Sequence, residues 1–193
     1  MHLMASEVTQ NTLMYFVLPL WLAAGFADYL CHRHADIEHT SGWKESLLHL
    51  LQFGEMAIPV LAALFLEINT LVIAVMIICF ALHEVTALWD VRYAVATREV
   101  TPLEQHIHSF LEMLPLMALL MVVALHWDQF IALFGMAPAR FDIAWKSPPL
   151  GVTYVVTILA LVLLFEVLPY LEELWRGLRA ERTSRSNSIR RDS

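Results

Sequence analysis

Apolar side chains come in five runs of about twenty residues, separated by short polar stretches. Each run is long enough for a helix across roughly 30 Å of hydrocarbon. The pattern predicts helices over Leu13–Cys31, Trp43–Glu67, Thr70–Ala96, Pro102–Leu125 and Leu150–Arg179. Helical spacing in the first continues through His39, where Thr40-Ser41-Gly42 supplies a break and a cap for the next helix. That first run has no basic residue before it and no small-residue cleavage site after it, so it is expected to remain as a span rather than leave as a signal peptide. Between the fourth and fifth runs, Trp127, Phe130, Phe134, Phe141 and Trp145 are interleaved with Gly135, Pro138, Pro148 and Pro149 and with Asp128, Arg140, Asp142 and Lys146. Aromatic residues mixed with charges and breakers read as an interfacial loop, not a sixth span.

The expected fold is all-α: an integral membrane protein with five transmembrane helices in a single domain over 1–180, then a basic, disordered tail over 181–193. Composition agrees, with 59% hydrophobic residues, 16% charged and a mean hydropathy of +0.60. It excludes an ordinary soluble domain and a nucleic-acid binder. Cys31 and Cys79 lie in or at the end of apolar runs and supply no disulfide framework. Basic residues divide unequally between the two sides of the predicted topology. Arg33, Lys44, Arg92, Arg98, Arg176, Arg179, Arg182, Arg185, Arg190 and Arg191 fall on one side, against Arg140 and Lys146 on the other. The positive-inside rule then puts the N-terminus outside and the C-terminus in the cytoplasm, in a bacterial inner membrane.

The net charge of −7 is not a solvated acidic surface. Each apolar run carries an acid, namely Asp28, Glu55, Glu84, Glu112 and Glu166, and an unpaired central carboxylate costs about 2.5–3.5 kcal/mol on insertion scales. No lysine or arginine lies deep in any run, whereas histidines do. The first helix reads Asp28-x-x-x-His32-x-x-x-Asp36, the fourth Glu104-x-x-x-His108-x-x-x-Glu112. Spacing of four keeps each set on one face. The second helix offers Glu45 and His49, with Gln52 and Glu55 beyond; the third offers His83 and Asp90 on a shared face. Counted at about 1.5 Å per residue from the cytoplasmic helix ends, the four histidines form one layer roughly 9–14 Å deep. Asp36, Glu45, Asp90 and Glu104 fall nearer the cytoplasm, with Asp28, Glu55 and Glu112 deeper.

Short connections make the first four helices antiparallel neighbours, a four-helix bundle filled with carboxylates and imidazoles. That donor set suits two metal ions, iron first and zinc or manganese as alternatives. The expected ligands are Asp28, His32, Asp36, Glu45, His49, Glu55, His83, Asp90, Glu104, His108 and Glu112, with Glu84 and Glu166 behind them. A metal-free proton relay is the alternative use of the same groups.

Ala24-Gly25-x-x-Asp28-x-x-x-His32, Thr40-Ser41-Gly42, Glu45-Ser46-Leu47-Leu48-His49, His83-Glu84-x-x-Ala87-Leu88-Trp89-Asp90-Val91-Arg92-Tyr93 and Glu104-Gln105-His106-x-His108-Ser109-Phe110-Leu111-Glu112 cover nearly the whole chain. At these residues it resembles a family of small bacterial integral membrane proteins of unknown function. A diguanylate cyclase label is sometimes attached to members; the Gly-Gly-Asp-Glu-Phe motif which that activity needs is missing here. More loosely, the ligand set is similar to that of carboxylate di-iron proteins and membrane desaturases and hydroxylases. The chain departs from both, with no Glu-x-x-His pair and no His-x-x-His-His box.

The leading expectation is a di-metal, di-iron oxidoreductase acting on a lipid or other apolar substrate, with membrane lipid as its surroundings, no nucleic-acid partner and homo-oligomerisation left open. A membrane zinc-dependent hydrolase is the alternative, weakened because His83-Glu84 is followed by Ala87 where His-Glu-x-x-His needs its second histidine. A metal sensor or transporter ranks third, since the outer half of the bundle lacks a polar path.

Overall fold

A computed structural model describes residues 2–191 of the 193. All its regular elements are helices, apart from an isolated bridge between Leu66 and Trp145. Helix α1 is one rod built from His2–Thr12, a π-turn over Leu13–Val17 and Leu18–His34. It is followed by α2 (Trp43–Phe65), α3 (Thr70–Thr97), α4 (Pro102–Leu125) and the short α5 (Trp127–Ala132). Helix α6 joins Val152–Val162, a second π-turn over Leu163–Val167 and Leu168–Arg191. Five of these helices, all but α5, are long and apolar enough to cross a membrane. Their outward faces keep large apolar side chains exposed, Leu51, Ile58 and Leu61 on α2 and Ile78, Val85 and Trp89 on α3 among them. Such a surface suits lipid rather than water.

Local chemistry sets the boundaries. Helix α1 stops at His34 because Asp36 takes the left-handed conformation, φ +54°, which a short polar side chain tolerates. Gly42, at φ +74°, opens α2, and its N–H returns to the Ile37 carbonyl at 2.7 Å. This break corrects the expectation that the first helix runs through His39. Asn69 caps α3 by accepting from the Val72 N–H, and Thr101 caps α4 by accepting from the Glu104 N–H, with Pro102 in the first turn. The aromatic segment after α4 forms the short α5 and a loop that folds back on the α2–α3 turn through Lys146 N–H to Phe65 O and Glu67 N–H to Ala144 O.

The five long helices close a ring: α1 packs on α4, α4 on α3, α3 on α2, α2 on α6, and α6 on α1. The expected bundle of the first four helices is therefore completed by the last one. Glycines let α6 approach. A Cβ on Gly25 would lie 2.8 Å from Glu166 Cδ, and one on Gly177 would lie 2.8 Å from Trp43 Cα. Near the arginine-rich end, Arg176 bonds Glu38 and Glu172, and Arg33 bonds Glu172 at 2.9 Å, tying α6 to α1 and to the turn after it. The tail expected to be disordered continues α6 through Arg191, favoured by helix-forming residues such as Ala180 and Glu181 and by the Glu181–Arg185 pair at 2.7 Å.

Candidate metal centre

The site is built around one carboxylate. Glu173 on α6 is almost fully buried, and its two oxygens are divided between two imidazoles. Oε2 accepts from Nδ1 of His32 at 3.2 Å, and Oε1 accepts from Nδ1 of His49 at 2.8 Å. A carboxylate accepts only, so each imidazole carries its hydrogen on Nδ1 and turns Nε2 the other way. The two rings stack in parallel, 4.2 Å between centroids and 8° between planes. Two imidazolium rings stacked so closely would repel one another, while the carboxylates at both nitrogens of each ring favour the charged form.

The Nε2 atoms face carboxylate oxygens. His32 Nε2 is 3.4 Å from Asp28 Oδ2 and 3.4 Å from Glu104 Oε1, and His49 Nε2 is 3.3 Å from Asp90 Oδ2. His108 Nε2 comes within 2.9 Å of Asp28 Oδ1, with its ring edge-on to His32. His32 Nε2, His49 Nε2, Asp28 Oδ1 and Asp90 Oδ1 are all buried without a hydrogen-bond partner among the described residues. Buried polar atoms are nearly always satisfied, so these atoms need a proton or a cation between them. Donor atoms from Asp28, His32 and His108 lie within 4.8 Å of one another, as do those of His32, Glu45 and His49.

Arg98 supplies the positive charge that the apolar runs seemed to lack. It reaches back from just beyond α3 and is buried at its head, bonding Glu45 at 2.5 Å and also Glu104. Burial opposes its charge, and the bonds to Glu104 and Glu45 more than reverse that, so its pKa is raised. Glu45, Glu104, Asp28, Asp90 and Glu173 are five buried carboxylates beside one guanidinium. With Glu166 set apart against Gly25, four negative charges are left, the number that two divalent cations cancel when the imidazoles are neutral.

The structure brings Asp28, His32, His49, Asp90, Glu104 and His108 together, and Glu45 beside them under Arg98. It does not bring Asp36, which the left-handed turn sends to the surface to pair with His39 at 3.0 Å. That exposed contact raises the His39 pKa. Glu55 is also drawn away, accepting from Thr86 Oγ1 at 2.9 Å. His83 and Glu112 line the cavity above the cluster. His83 is buried, with no hydrogen-bond partner for either ring nitrogen among the described residues, about 10 Å along α3 from Asp90.

Sequence reasoning missed Glu173 and Arg98. Glu173 had a signal, because Glu166, Tyr170 and Glu173 repeat at helical spacing on α6; Arg98 had none, because a residue beyond a helix end has no face. An apolar cavity of 330 Å³ opens from the cluster, with Asp28, His49, Asp90 and His108 at one end and Glu166 and Tyr170 in its wall. Comparison with protein-family models, with curated proteins and with solved structures gives no match.

Proposed function

We propose that the chain is a membrane-embedded di-metal protein, with iron as the metal, that acts as an oxidoreductase on a lipid or other apolar substrate. The observation that carries this reading is the Glu173 clamp. One carboxylate aims two imidazoles side by side, each with its Nε2 next to its own aspartate. The ring spacing of 4.2 Å is close to the roughly 3.5–4 Å separation of ions in two-metal sites. His32, Asp28 and His108 would hold one ion, His49 and Asp90 the other, with Glu104 within reach of the first. Mixed carboxylate and imidazole donors without a cysteine suit iron or manganese.

A pair of such ions supplies redox chemistry with dioxygen when it is bound. The chain's own part is to hold the donors rigid, keep water out through the surrounding apolar helices, and leave an apolar approach on one side. The test is oxygen uptake by the protein loaded with ferrous iron. Uptake with a new near-ultraviolet or visible band, lost in His49→Ala and in His108→Ala, is expected. A protein that holds only zinc, or whose iron form is silent in air, would move the hydrolase alternative ahead.

A further inference from the structure

The cavity at the cluster does not end inside the ring. A second one, of 420 Å³, shares the wall residues Leu18, Trp21, Met56 and Val60 with it, so the two lie end to end along the bundle. Its other end lies at the opposite face of the bundle, edged by Gln10, His126, Lys146 and Tyr154. Lys146 is fixed there because its N–H donates to the carbonyl of Phe65, the last residue of α2, at 2.8 Å. From His49 to Phe65 the helix rises about 24 Å. That is somewhat under the roughly 30 Å of a bilayer's hydrocarbon core, which two chains fill end to end, so one chain headed at Lys146 covers most of the way.

Chemistry at that mouth is specific. The Lys146 side chain is half-buried, and no carboxylate lies within ion-pair distance of it among the described residues. Glu67, the acid that acts on it through space, accepts the Ser147 N–H at 2.8 Å. Burial pulls the Lys146 ammonium down while Glu67 pushes back. Burial and the neighbouring Lys146 lower the pKa of His126, against a smaller opposite pull from Glu67. A lysine at the rim of an apolar path is complementary to an anion with a hydrocarbon body.

We propose that the adjoining cavities bind a single-chain amphiphile with an anionic headgroup, its head at Lys146 and its tail running past Trp21 and Val60 toward the cluster at His49 and His108. Binding depends on Lys146 and the cavity alone; its role as substrate rests on the function proposed above.

The experiment is a titration of the purified protein, in uncharged detergent, with palmitate brominated along its chain. Trp21 stands in the wall of both cavities, so the signal is the fluorescence quenched in wild type and missing in Trp21→Phe. Saturable quenching is expected, weakened at least about tenfold in Lys146→Met and kept in Lys146→Arg. Brominated hexadecanol, with the same chain and no charge, should bind wild type no tighter than palmitate binds Lys146→Met. Equal binding of palmitate and hexadecanol, or of palmitate to wild type and Lys146→Met, would overturn the assignment. A protein that holds no metal but binds palmitate through Lys146 would remove the oxidoreductase reading and leave this one standing.

Discussion

Single residues decide whether the buried charges are tolerable. Glu173 touches both stacked imidazoles, so its amide analogue keeps the shape while losing the ability to accept equally from both rings. Glu173→Gln should lower metal affinity about 10–100-fold, the usual loss when the group orienting a ligating histidine is changed. Competition with a chelator measures it, and unchanged affinity would separate the clamp from the centre. Arg98 acts differently, since it touches two acids and no histidine. Arg98→Met leaves Glu45 and Glu104 buried without their cation and should cost about 3–5 kcal/mol of stability. Adding Glu45→Gln should recover part of it, read as the unfolding midpoint in micelles.

Helices place these residues, and their faces explain what could be read in advance. His32, His49, Asp90 and His108 were legible because each lies inside a regular helix, where spacing of four or seven fixes a common face. Asp36 shares that spacing with His32 in sequence but not in space, because the left-handed turn falls between the end of α1 and the rest of the stripe. Glu55 kept its helix yet found a hydroxyl, Thr86, before it found the cluster. Helix α6 was the least legible. Its long apolar run reads as a plain span, although Glu166, Tyr170 and Glu173 carry the face that completes the ring. The approach of α6 to α1 depends on Gly25, where a methyl group would strike Glu166. Gly25→Ala should therefore cost about 1–3 kcal/mol by overpacking, against a smaller effect for Gly54→Ala, where nothing lies within 4 Å. A calorimetric comparison of the two variants checks the difference.

At the scale of the whole molecule, five apolar helices enclose a charged centre close to one end and an apolar path to the other. The arginine-rich end is the one nearer the cluster, and on the positive-inside rule we propose that it faces the cytoplasm. A cysteine introduced at Ser186 should then resist impermeant thiol reagents in intact cells, and ready labelling there would invert the topology. The enclosed charge is the larger matter. Five carboxylates and one guanidinium share the interior with four buried atoms, on Asp28, His32, His49 and Asp90, that have no hydrogen-bond partner among the described residues, and with neutral imidazoles two divalent ions would balance the charge. The most direct measurement is the metal content of the full chain, purified in detergent from cells grown without added metal. Two ions per chain are expected, falling together in His32→Ala, His49→Ala and Asp90→Asn. A folded protein without bound metal, or one whose metal content is unchanged in all three variants, would contradict a metal centre at the Glu173 clamp.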